Sequence, residues 1–133
     1  MKKALFLVAL GALLVLAPSA NAALVAPTFI AGNPSCAGGT KIEPVADGTH
    51  AVPGGTVTLD VTDKSFSFTT SGVTVFQVIV KGGPNANLYD YAALGGVTAD
   101  SGLVAPLNGG KQAGLSHLCF FTDDKKPPPP PKK

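Results

Sequence analysis

Thr56-Val57-Thr58-Leu59-Asp60-Val61-Thr62 alternates apolar and polar side chains without a break. In an extended chain successive side chains point to opposite faces, so Val57, Leu59 and Val61 share one face while Thr56, Thr58, Asp60 and Thr62 share the other. That pattern predicts an antiparallel strand with one face on a core and one in water. The next segment, Ser65-Phe66-Ser67-Phe68-Thr69, alternates in the same way after Asp63-Lys64. The two predict a hairpin, with Phe66 and Phe68 packed beside the Val and Leu face.

Working outward, period two recurs through most of the chain, punctuated by Gly, Pro, Asn and Asp about every ten residues. Val73 to Val80 is nearly continuous and β-branched, as suits a central strand covered on both faces, and it stops at Lys81-Gly82-Gly83-Pro84. A strand is expected from Asn87 to Ala92, and Gly95 to Gly110 reads mostly as loop. Leu115 to Thr122 has Leu115, His117, Cys119 and Phe121 on one face and Ser116, Leu118 and Phe120 on the other, so it too lies inside. Leu24 to Ile30, interrupted by Pro27, reads as an edge strand and Thr40 to Glu43 as a short one before Pro44. About seven strands in about 100 residues predict an all-β fold, a small antiparallel β-sandwich of Ig-like or prealbumin-like type.

Three segments follow. Met1-Lys2-Lys3, the apolar run Ala4 to Ala17 and the small residues of Ala20-Asn21-Ala22 match the three regions of an export signal, so residues 1–22 read as a signal peptide and the mature chain is expected to start at Ala23. Fourteen apolar residues span about 21 Å as a helix, short of a hydrocarbon core of about 30 Å, which argues against an uncleaved membrane anchor; no other segment reads as a membrane-crossing helix, so no span is expected after cleavage. Residues 23–122 read as the sandwich. Residues 123–133, with five consecutive prolines flanked by lysines, read as a disordered Lys/Pro-rich tail whose prolines form a stiff rod about 15 Å long.

Composition excludes several function classes. The 133 residues contain 16 Gly and 12 Pro, and charged residues are only 14%. Without Lys2 and Lys3 the lysines balance the acidic residues, leaving no basic field to capture nucleic acid. Export implies an oxidising compartment, and with only Cys36 and Cys119 present a single intramolecular disulfide is possible. Closing so long a loop would stabilise the fold by about 4.6 kcal/mol in the chain-entropy description.

Three further stretches carry a resemblance: Val80-Lys81-Gly82-Gly83-Pro84-Asn85-Ala86-Asn87-Leu88-Tyr89, then Gly102-Leu103-Val104-Ala105-Pro106-Leu107-Asn108, then Gly110-Lys111-Gln112-Ala113-Gly114-Leu115-Ser116-His117. In order and spacing they resemble an uncharacterised domain that recurs in exported bacterial proteins, often beside sandwich domains of cell-surface proteins. The resemblance covers roughly Cys36 to Phe121. Relatives of that kind tend to carry a cysteine at the position of Phe121, two residues beyond Cys119. A shift of two keeps the side chain on the same strand face.

Candidate chemistry is sparse. Ser116 and His117 are adjacent in an expected strand and point to opposite faces, so they do not form a nucleophile and base, and no enzyme is expected. Cys36, His50, His117 and Cys119 would make a two-Cys, two-His metal set, in competition with the disulfide; no metal or cofactor is the favoured reading. Gly109-Gly110-Lys111 lacks the remainder of a phosphate loop. Asn85, Asn87, Asp90 and Asn108 offer oxygens to calcium without the spacing of a dedicated loop. Tyr89 and Tyr91, about 7 Å apart on one strand face, would form with Asn85 and Asn87 an aromatic and amide binding face for a sugar or peptide. The sequence therefore reads as a secreted or surface-associated, non-enzymatic β-sandwich module, extracellular or periplasmic, with a carbohydrate or surface-polymer binding module as the alternative. Its partner would be a cell-surface polymer or another extracellular protein.

Overall fold

The computed structural model describes residues 22–122; the expected signal peptide up to Asn21 and the Lys/Pro-rich tail lie outside the described residues. Among the described residues the chain forms eleven strands and one short 3-10 turn. The strands are β1 (Thr28–Ala31), β2 (Thr40–Ile42), β3 (Gly48–Val52), β4 (Gly55–Thr62), β5 (Ser65–Ser71), β6 (Gln77–Gly82), β7 (Asn85–Asp90), β8 (Ala99–Leu103), β9 (Leu107–Asn108), β10 (Lys111–Gln112) and β11 (His117–Phe121). All pair antiparallel, in a five-stranded sheet of order β1-β7-β6-β11-β2 and a four-stranded sheet of order β3-β4-β5-β8, with β9 and β10 as a small separate hairpin. The all-β sandwich read from the alternation is the observed fold, with more strands than the expected seven.

The expected β4–β5 hairpin pairs Leu59 with Phe68 and Val61 with Phe66 around a turn in which Asp63 adopts φ 56°, a left-handed conformation that Asp tolerates better than most residues. Val57, Leu59, Phe66 and Phe68 all turn inward and are buried. They meet Val78, Val80, Tyr89, Leu118 and Phe120 of the other sheet in the main core. Phe68 sits at its centre, edge-on to Phe120 at 5.3 Å and to Tyr91 at 6.3 Å between ring centroids.

The same strands carry a second, smaller core on the opposite face. Period two sends Ile79, Ala86, Cys119 and Phe121 outward from the five-stranded sheet, where they cluster with Ile30, Leu88 and Cys36. The topology explains what covers them. β1 and β2 are consecutive in sequence yet lie at opposite edges of this sheet, so residues 32–39 run as a strap across its outer face. Four inter-strand gaps of about 4.8 Å make about 19 Å, within the reach of eight extended residues at about 3.4 Å each. The strap is fixed midway by the Cys36–Cys119 disulfide, with the two Cα atoms 5.7 Å apart. Gly39 closes it over the sheet: a side chain there would begin 2.9 Å from the Phe121 ring.

Several boundaries differ from expectation. The apolar run from Val73 is not one strand. Residues 73–76 cross between the sheets, with Val75 bonded to Val97, and the ladder begins at Gln77. β6 then extends to Gly82 and β7 begins at Asn85, so Gly83-Pro84 is a two-residue hairpin turn rather than the end of a sheet. β3 went unread because Gly48-Thr49-His50-Ala51 has little β character. The Gly95 to Gly110 stretch contains β8, hidden by a bulge: Phe66 faces Leu103 and Phe68 faces Asp100, so three steps on β8 match two on β5. Gly102, at φ 74°, absorbs the extra residue and lets both Asp100 and Leu103 point inward.

Candidate functional site

The residues expected to form a binding face are where the correction is largest. Tyr89 and Tyr91 do share a face of the strand and its extension, but it is the inner one, and they are 1% and 0% exposed. Their rings belong to the main core because β7 is the second strand of a sheet whose inner side is covered by β4, β5 and β8. An exposed aromatic platform at these positions is ruled out. Asn87 is buried beside them and donates from Nδ2 to Val104 O at 3.0 Å, while Asn85 Oδ1 accepts from Gly32 N–H at 3.0 Å and steadies the start of the strap.

Each phenol reaches the sandwich rim and bonds to the β8 side. Tyr89 Oη donates to Val104 O at 3.2 Å and accepts from Val104 N–H at 3.1 Å. Tyr91 Oη donates to Asp100 Oδ2 at 2.7 Å. Burial pushes both hydroxyls above the ordinary tyrosine value, and for Tyr91 the adjacent Asp100 carboxylate pushes further in the same direction. Asp100 is itself 8% exposed. Besides Tyr91 it accepts from Leu24 N–H, at 3.0 Å to Oδ1 and 3.2 Å to Oδ2, and from Ser101 N–H at 2.7 Å. Sequence reading missed Asp100 because its strand was hidden by the bulge.

The cysteines and Asp90 are also committed to structure. Cys36 and Cys119 are joined, so the thiolates that a two-Cys, two-His metal set needs are absent. Among the described residues no group of three or more His, Cys, Asp or Glu gathers. Asp90 Oδ1 accepts from Ala92 N–H and from Gln77 Nε2, which leaves it capping the end of β7. Ser116 is exposed while its neighbour His117 is buried, as expected for opposite faces.

His117 stands opposite Lys81 on the outer face, two residues from the strand pair of Cys119 and Lys41. Burial lowers its pKa, the Lys41 charge lowers it further, Glu43 partly offsets that, and Lys81 lowers it by the least. A depressed value means that the unfolded chain binds the proton more readily, so stability falls as pH drops below the ordinary histidine value near 6.5. The expected result is an acid loss of stability as pH falls below about 6.5 that is smaller in His117→Gln, read from urea midpoints at a series of pH values.

What remains on the surface is the outer face of the four-stranded sheet. Thr49, Thr58 and Thr69 stand in one row across three strands, with the Thr49 and Thr58 hydroxyls 2.9 Å apart. Along the same face Asp60, Thr62, Ser65, Ser67 and Ser101, with Gly102 and the apolar Phe66 and Val104, line a shallow groove of about 430 Å³. These are the polar positions that alternation sets opposite the core. The β8 wall of the groove was not legible. Asp60 is the one charged side chain along its lining.

Fold and site together define a disulfide-strapped antiparallel β-sandwich with a hydroxyl-lined outer groove. No family model, no curated protein and no solved structure matches the chain.

Proposed function

We propose that the chain is a secreted or surface-associated, non-enzymatic β-sandwich module, periplasmic where the cell has an outer membrane. The observation that carries this reading is the disulfide that pins the strap to the sheet, a cross-link that persists in oxidising compartments and is rare in reducing ones. The export signal read from residues 1–22 agrees with it. Commitment of Tyr89, Tyr91, Asn85, Asn87 and Asp100 to bonds that close the sandwich supports a structural role for those side chains. Fractionation of cells making the full chain tests the reading. The expected product starts at Ala23, lies in the envelope or medium and has no titratable thiol. A cytosolic chain that keeps residues 1–22 and two free thiols overturns it.

The outer groove favours a second reading, recognition of an extracellular carbohydrate or surface polymer through hydroxyls rather than tyrosines. Rows of Ser and Thr beside a single carboxylate match a neutral polyhydroxyl chain better than an anionic one. Co-sedimentation of residues 23–133 with peptidoglycan, cellulose and chitin tests it. Retention that survives high salt and weakens roughly tenfold in Ser67→Arg supports it. Retention lost with salt assigns the contact to the lysine tail. Absence of retention ends this reading and leaves another extracellular protein as the partner.

A further inference from the structure

Asp100 raises a question that the sandwich alone does not answer. A carboxylate 8% exposed is costly to bury as an ion unless a cation or several donors face it. Its partners are Leu24 N–H on both oxygens, Tyr91 Oη–H and Ser101 N–H, all of them neutral donors. The ion pair found among the described residues is Lys41 with Glu43, elsewhere on the surface. The carboxylate is aimed at the backbone of Leu24, which is one residue past the amide nitrogen of Ala23.

The position of that nitrogen matters. Ala23 and Val25 are half-buried and pack on the main core, while Ala22 and Leu24 are exposed, so the segment is already docked where it passes Asp100. Adjacent backbone nitrogens are about 2.7 to 3.6 Å apart, which keeps the Ala23 nitrogen within about 7 Å of the Asp100 oxygens. In the uncut chain it is a neutral amide. Hydrolysis of the Ala22–Ala23 bond by a processing endopeptidase breaks the C–N bond. Water's hydroxyl goes to the Ala22 carbonyl and its hydrogen to the Ala23 amine, which takes up a further proton near neutral pH.

We infer that Asp100 is an internal binding site for the α-ammonium group that cleavage after Ala22 creates on Ala23, so that removal of the signal adds a countercharge to its neutral donors and locks the new N-terminus onto the core. The inference rests on the export-signal reading for the existence of that terminus. Its geometry rests on Asp100, Tyr91 and Leu24 alone. The uncut chain then holds Asp100 with neutral donors only, and the mature fold gains an interaction that the precursor lacks.

The test is a thermal denaturation cycle on residues 23–133, comparing a free Ala23 amine with an Nα-acetylated one, each with Asp100 and with Asp100→Asn. Acetylation is expected to lower Tm by about 4 °C or more when Asp100 is present and by less than about 1 °C in Asp100→Asn. Equal shifts in both backgrounds, or no shift with Asp100 present, overturn the pairing. Should Asp100→Asn fail to fold, Tyr91→Phe keeps the carboxylate and removes a neutral donor. The acetylation shift must then persist, and its loss overturns the pairing. N-terminal sequencing of the exported protein separates the two layers: a start other than Ala23 overturns the processing step, whatever the cycle shows.

Discussion

Reduction of the disulfide, or the paired change Cys36→Ser and Cys119→Ser, is expected to lower the stability of the fold by about 4.6 kcal/mol. The two cysteines are 83 residues apart, and the chain-entropy relation gives that figure for a loop of this length. For a domain whose net stability is on the order of 5–15 kcal/mol this is a large share. The loss has a structural side as well. Without the cross-link the strap keeps the Gly32 to Asn85 hydrogen bond, the close approach of Gly39 to Phe121 and the packing of Cys36 on the cluster of Ile30, Ile79, Ala86, Cys119 and Phe121, which is much smaller than the main core. Urea unfolding followed by far-ultraviolet circular dichroism, with and without reductant, measures the difference. A loss below about 1 kcal/mol would mean that packing rather than the covalent bond keeps the strap on the sheet.

Phe68→Ala is the substitution expected to do most harm among the core residues. Phe68 is 1% exposed and lies edge-on to two other rings, so truncation removes its own transfer free energy, both aromatic contacts and the filling of the space between the sheets. Buried Phe→Ala changes cost about 3–5 kcal/mol. Phe29→Ala provides the contrast: it is 56% exposed on edge strand β1, and its removal should shift stability by less than about 0.5 kcal/mol. Equilibrium unfolding of both variants checks the pair, and a loss in Phe68→Ala no larger than in Phe29→Ala would show that the main core is centred elsewhere.

How far the fold was legible depends on how faithfully each segment keeps period two. Residues 56–69 keep it throughout, and both their strands and their inward faces follow. Leu118 and Phe120 against Cys119 and Phe121 also keep it, although nothing local says that the second face is covered by the strap; that is decided by the distant placement of β1 and β2. Residues 99–103 break it, because the bulge at Gly102 sends Asp100 and Leu103 to the same side. The tyrosines show a different limit. Alternation correctly puts Tyr89 and Tyr91 on one face, but not whether that face meets water or another sheet. An amphipathic ring with a polar end suits either. The Asp60 and Thr62 side of the groove was legible, while Ser101 was not, since its strand was read as loop.

The disulfide also decides how the molecule bears tension. If it is pulled from residues 22 and 122, force runs along the chain to Cys36, through the sulfur bridge to Cys119 and out along Phe120 to Thr122, bypassing residues 37–118. Only the nineteen residues 22–36 and 119–122 can be drawn out, a reach of about 65 Å, against about 350 Å for all 101 described residues. The strand pairs from β3 to β10 stand outside that path. The oxidised domain therefore behaves under load as a short tether with a folded body hanging from it, and reduction turns the whole sandwich into extensible chain.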